Sequence, residues 1–309
     1  MTASVAMLTL IVTAQPSPLE PGHRENPVYR DLRGTGWAVG STLVTFPAPS
    51  LHDGDSADSE RAVLKAITGS DRAAAEFTRD SVSAPFVLKT SDLTLDNGDL
   101  VRRADLWFVV RAELRALAID KNMPKGKGET VEAGNMKFRV SRVPSSTLLS
   151  LGIKSQKLAA PSNETYAHRS STLLDRIGLD AIDHVAATHT QGSSVIASQT
   201  DLRFSKGDGD TNQWWPYVRK GANLERGSAE PYPGGASLVK ISRLATVPGA
   251  LLVEAHFAFV EPKAWFDGAP ILRSKFSVVA QDRIRALRRE LAKSRDAGTV
   301  RSSPESKGR

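Results

Sequence analysis

Ser237-Leu-Val-Lys-Ile-Ser-Arg-Leu-Ala-Thr-Val-Pro-Gly-Ala-Leu-Leu-Val-Glu-Ala-His-Phe-Ala-Phe-Val260 is the stretch that decides the fold. Residues 237–246 and 250–260 are apolar and rich in β-branched side chains, as strands are. Between them Pro248 suits the first central position of a type II turn, because its ring fixes φ, and Gly249 suits the second, which needs positive φ. The two runs therefore predict an antiparallel hairpin. With Val247 opposite Ala250, Arg243 falls opposite Glu254 and Ile241 opposite His256. Glu254 and His256 then share one face, since side chains two apart on a strand point the same way. The other face, with Val253, Ala255, Phe257 and Phe259, is the expected core side.

Working outward, residues 182–190 and 194–204 read as two more strands, and the long excursion 205–235 reads as a loop. In the first half, residues 36–46 alternate like a strand. Acidic residues at 53–60 lead into helically spaced Val63, Leu64, Ile67, Ala74 and Phe77, a capped amphipathic helix. Strands over 84–95 and 99–110 are joined by Asp96-Asn97-Gly98-Asp99, and Asn-Gly between alternating runs is a strong hairpin signal. A short helix over 112–119, a Lys125-Gly-Lys-Gly loop and a strand over 130–140 follow. A helix is expected over 164–177. In the last segment Phe276, Ala280, Ile284, Leu287 and Leu291 form one helical stripe, so a long C-terminal helix is expected to lie across the sheet.

The fold class is therefore α+β with mainly antiparallel sheet. The halves share a rough order of elements, as two similar β-rich lobes would: an N-terminal lobe over 31–154, a polar linker over 155–163 and a C-terminal lobe over 164–296. Residues 15–30 read as a Pro-rich lead-in and 297–309 as a disordered basic tail. The order of strands closed by a long helix resembles the helix-grip arrangement of START-like lipid-binding domains, which implies an apolar ligand held between helix and sheet.

The chain has 309 residues and a formal net charge of +7. It contains no cysteine, which excludes disulfides, thiolate nucleophiles and cysteine-ligated metal centres. The run Val5-Ala-Met-Leu-Thr-Leu-Ile-Val-Thr-Ala14 is too short to cross a bilayer core but has the length of a signal-peptide apolar region. Residues 1–14 are thus expected to be a signal peptide and the protein to be exported to the periplasm or beyond, as a soluble or peripheral protein. Residues 273–309 carry eleven Lys or Arg against four acids, so the whole net charge sits in the final helix and its tail. Arg285, Arg288, Arg289 and Lys293 are the expected contacts with an anionic membrane or cell-wall surface. Nucleic acid is not expected as a partner of an exported chain whose basic helix carries no interleaved aromatics.

No Gly-x-Ser-x-Gly, His-Glu-x-x-His, P-loop or Gly-x-Gly-x-x-Gly pattern occurs. Glu254 and His256 are the candidate catalytic pair, a carboxylate orienting a general base in a hydrolase. The simpler reading is an ion pair between Glu254 and Arg243. His184 and His189 are five apart and so cannot ligate one metal from one strand face. Asp208-Gly-Asp-Thr-Asn212 begins like an EF-hand, but Gln213 stands where the glycine belongs and Arg219 where the bidentate Glu belongs. No metal or cofactor is expected, and Asp208, Asp210 and Asn212 are the only ligands such a loop would offer. Trp214, Trp215, Tyr217 and Trp265 are the aromatic candidates for stacking on a carbohydrate or apolar ligand.

The runs from Asn212-Gln-Trp through Gly249-Ala-Leu-Leu-Val-Glu-Ala-His-Phe to Leu272-Arg-Ser-Lys-Phe, with Ala84-Pro-Phe-Val-Leu-Lys and Val101-Arg-Arg-Ala-Asp-Leu-Trp-Phe-Val, resemble an uncharacterised family of exported bacterial proteins. That resemblance implies export and carries no functional residues. The expectation is a non-enzymatic ligand-binding or interaction module of the cell envelope, the alternatives being the Glu254/His256 hydrolase and a peripheral protein docked by its basic helix.

Overall fold

A computed structural model describes residues 19–117, 128, 130–133, 136–153, 163–205, 212–221, 223–269 and 271–301. The expected signal peptide, residues 155–162 of the expected polar linker and residues 302–309 of the expected tail lie outside the described residues. Helix α1 (Pro27–Gly34) is followed by the short pair β1 (Trp37–Val39) and β2 (Thr42–Val44), then α2 (Ala57–Thr68) and α3 (Asp71–Phe77). The single helix expected near 56–77 is two, because Gly69 closes the first at positive φ while Ser70 caps the second. Next come β3 (Val87–Thr94), β4 (Leu100–Arg111), β5 (Thr130–Ala133), β6 (Met136–Arg142) and helix α4 (Ser145–Ser150). The second half supplies β7 (Asn163–Leu173), β8 (Ile177–His189), β9 (Ser193–Thr200), β10 (Gln213–Lys220), β11 (Asn223–Arg226), β12 (Glu230–Pro231), β13 (Gly235–Arg243) and β14 (Ala250–Glu261). Helix α5 (Ile271–Arg301) ends the described chain and continues past Ala297, where a disordered tail was expected to begin.

The order β3-β4-β14-β13-β9-β8-β7-β6-β5 is antiparallel throughout, and β10 adds to β8 beyond the end of β9. β14 lies between β4 and β13, so the two halves of the chain build one sheet in place of two lobes. Residues 164–177, expected to be helical, form β7 and its turn into β8. The turn is made by Leu174 and Asp175, both at positive φ, with Arg176 N donating to Leu173 O. Non-glycine residues there hide the hairpin from a reader looking for Asn-Gly.

The Val247-Pro-Gly-Ala250 turn forms as expected: Gly249 has φ +72° and Ala250 N donates to Val247 O. The register does not. Arg243 pairs with Leu251, Lys240 with Glu254 and Leu238 with His256. The cause is Glu60 on α2, whose carboxylate accepts from Ala245 N at 2.6 Å and Thr246 N at 3.0 Å, drawing both residues out of the ladder.

Both faces of the sheet are covered. Ile284 packs with Phe108, Val110, Ile241, Leu251 and Val253 on one face, and Ala280, Leu287 and Leu291 close around them. The space between helix and sheet is thus filled by side chains. On the other face, residues 19–77 form a layer: Tyr29 and Leu32 lie over Val101, Leu238, Ala258 and Val260, and Leu64 and Phe77 lie over Trp107, Val109 and Leu252. The nominal lead-in is part of this layer, since Asn26 caps α1 through Tyr29 N and donates to Ala186 O at 3.0 Å.

Candidate functional site

Glu254 and His256 do share a face, and it is the face beneath the N-terminal layer. They are buried at 3% and 2% exposure. Arg243 instead approaches Glu113 at 3.8 Å, so the simple surface ion pair is absent. His256 Nδ1 lies 2.7 Å from Asp105 Oδ1, and Nε2 lies 3.1 Å from Glu254 Oε1. Ser50 closes the chain, donating from its backbone N and its Oγ to the two Glu254 oxygens, each at 2.7 Å. Burial pulls the imidazole pKa down, but the hydrogen bonds to Asp105 and Glu254 and their charges outweigh it and hold the pKa above the ordinary value. Burial pushes Glu254 up, and His256 and the Ser50 donors outweigh that, holding its carboxyl below the usual range.

Held between two carboxylates, the ring can donate from both nitrogens when it is protonated, which is the form that the raised pKa favours. Both ring nitrogens are engaged by carboxylates, and the Ser50 hydroxyl is engaged by the Glu254 carboxylate. The arrangement holds the segment around Ser50 onto β14. The same face carries a second buried contact of this kind: Lys240 is ion-paired with Glu20 and donates to Leu51 O at 2.7 Å. Asp53 N donates in turn to Glu20 Oε1 at 2.9 Å. His23 bridges Thr188 Oγ1 and Ser193 Oγ at 2.9 and 2.8 Å. Ser50, Asp105, Lys240 and Glu20 were not singled out in the sequence, because each meets its partner only through long-range pairing.

The aromatic candidates are packing residues of β10 and its surroundings. Trp265 is 1% exposed, stacked on Tyr232 at 6.1 Å and met edge-on by Trp214 at 5.9 Å. Trp215 lies against Gly178, where a Cβ would come within 2.2 Å of its ring, and the Arg226 guanidinium lies 3.8 Å over it. Tyr217, half-buried, meets Trp215 edge-on at 6.4 Å. The broad faces of Trp215 and Trp265 are thus occupied by other parts of the protein. Asp208 and Asp210 fall outside the described residues. Asn212 is fully buried, accepts from Ile182 N at 2.7 Å and donates to Asp201 O and Ser205 Oγ, so its amide is committed to the fold. Among the described residues no group of three or more His, Asp or Glu could hold a metal ion.

The cations of α5 fall into two sets. Arg288 turns inward and is 7% exposed, donating to Val109 O at 3.0 Å, Ala84 O at 2.5 Å and, more distantly, Val82 O and Pro85 O. It is therefore not an exposed surface contact. Its spacing gave the signal, since it lies four after Ile284 and three before Leu291, inside the apolar stripe. Arg273 pairs with Asp92 and Arg295 with Asp80. Lys275, Arg289 and Lys293 are exposed and Arg285 is half-buried.

Comparison with known proteins finds no family model that matches this chain and no match among curated proteins. Among the described residues no helix is long and apolar enough to cross a membrane.

Proposed function

We propose that this protein is an exported, non-enzymatic interaction module of the cell envelope that docks on an anionic membrane through the outward row of α5. The observation that carries this reading is the row itself. Lys275, Val278, Asp282, Arg285, Arg289 and Lys293 recur at helical spacing opposite the packed stripe, four cations against one acid. Among the described residues none of the four cations has a carboxylate partner within 4 Å, and Val278 is 54% exposed beside them. Unpaired cations around an exposed apolar side chain suit a headgroup layer. The N-terminal apolar run supports export, and the closed Asp105–His256–Glu254 chain favours binding over hydrolysis.

Each Lys or Arg near an anionic leaflet contributes about 1 kcal/mol at low salt. Replacing Lys275, Arg289 and Lys293 together by Gln should therefore weaken binding to phosphatidylserine-containing vesicles about a hundredfold in a sedimentation assay. Vesicles of phosphatidylcholine alone should bind neither protein. Undiminished binding by the triple variant would remove the helix from the account.

A further inference from the structure

The inward set of α5 cations opens a different question. Arg288 is a buried guanidinium whose hydrogen bonds go to four backbone carbonyl oxygens. Among the described residues no carboxylate lies within ion-pair distance of it. Carbonyls satisfy N–H groups but bring no net charge, and a buried ion without a counter-charge is costly. Arg111, half-buried at the end of β4, also has no carboxylate partner among the described residues: it donates to Pro248 O at 3.0 Å and Thr78 O at 2.8 Å, and its Nε is buried with no hydrogen-bond partner. Arg111 and Arg288 line one cleft with Arg79 and Arg295, and among the described residues Asp80 is the one acid in its wall. Asp80 is held by Arg295 at 3.2 Å. Arg79 is ion-paired with Glu76 at 3.0 Å. Among the described residues the cleft is thus lined by four arginines and one acid, with Arg295 paired to that acid and Arg79 to Glu76 outside the lining set.

We propose that this cleft, between the end of β4, the 79–82 segment and α5, is a binding site for a single terminal oxyanion group, a phosphoryl or a carboxylate. The cleft volume of about 30 Å³ sets the size. At about 10–15 Å³ for each water-sized position, it admits two or three oxygen-sized atoms. That matches the two oxygens of a carboxylate or the terminal oxygens of a phosphate monoester, with the remainder of the ligand outside. Guanidinium groups recognise such oxygens in pairs through parallel N–H donors. Burial lowers the Arg288 pKa without any acidic group to offset it. The site is independent of the outward row, which shares none of its residues.

The test is calorimetric titration of the full chain with sodium phosphate and with sodium acetate, against sodium chloride at matched ionic strength. Saturable binding of one phosphate or one acetate per chain is expected, and whichever of the two saturates identifies the group. R111Q should weaken it about tenfold or more, the loss of one charge-assisted contact. Because Arg111 also bonds to Pro248 O and Thr78 O, the exposed pair R79Q/R295Q is the second variant, with the same expected loss and less risk to the fold. R289Q, on the outward row, should leave the affinity unchanged. Heat effects equal to those of chloride, no saturation with either salt, or unaltered affinity in both cleft variants would overturn the proposal.

Discussion

His23 makes the fold sensitive to acid over a defined window. Its ring is fully buried between Thr188 and Ser193. Burial is the main cause that pulls its pKa down to about 4, with the Glu20 carboxylate opposing the fall and the Lys240 ammonium adding to it. In the unfolded chain the ring takes up a proton near pH 6.5. The stabilisation is therefore fully present above about pH 6.5 and is lost as pH falls towards 4, where the unfolded state holds a proton that the native state refuses. At about 1.4 kcal/mol per pH unit the loss amounts to about 3 kcal/mol across the window. His256 acts with the opposite sign and in a different range. Its folded pKa is raised, so its contribution is fully present below about pH 6.5 and is lost as pH rises through the folded value. Urea denaturation at half-unit steps from pH 4 to 8, on the native chain and on His23→Gln, separates the two, because the difference cancels the carboxylates and His256. The variant should lose less stability than the native chain below pH 6.5, by about 3 kcal/mol at pH 4, and run parallel to it above. Parallel curves throughout, or an NMR titration placing the folded His23 ring near 6.5, would refute the reasoning.

Two further perturbations test the packing described above. Lys240→Met should strand the buried Glu20 carboxylate and cost about 3–5 kcal/mol, with faster tryptic cleavage after Arg24 and Arg30; adding Glu20→Gln should recover most of the loss, and no recovery would contradict a charge-pair role. Gly178→Val forces a Cβ to 2.2 Å from the Trp215 ring, so a destabilisation of about 1–3 kcal/mol with a shifted tryptophan emission is expected, and an unchanged melting curve and spectrum would contradict the close approach.

The elements legible in the sequence were those whose signals are local. Asn97-Gly98 does form the β3–β4 turn, with Gly98 at φ +85° and Leu95 N donating to Asp99 O. The Phe276-to-Leu291 stripe does face the sheet, because 3.6-residue periodicity needs no knowledge of the partner. What escaped depends on distant residues. The hairpin register was shifted by Glu60, 185 positions before Ala245. β7 reads as a helix in the sequence because Leu174 and Asp175 occupy positive φ without a glycine to mark the turn. The excursion 205–235 reads as a loop, yet β10 forms within it and even Pro216 pairs with Ile177. The face assigned to solvent, with Glu254 and His256, is covered by residues 19–77, and nothing in the local pattern of β14 announces that cover. A strand buried on both faces with two ionisable side chains reads as amphipathic until its partners are known.

The chain's lack of cysteine makes the docking proposal directly measurable, since a single Val278→Cys substitution gives one site for an environment-sensitive fluorophore. A second label, at Leu43→Cys, reports from the N-terminal layer on the far side of the sheet, where Leu43 is 56% exposed. On addition of phosphatidylserine-containing vesicles at low salt, the label at 278 should shift to the blue and become shielded from an aqueous quencher, reversing at high salt, while the label at 43 stays unchanged. A silent label at 278, or a response at 43 instead, would contradict the account.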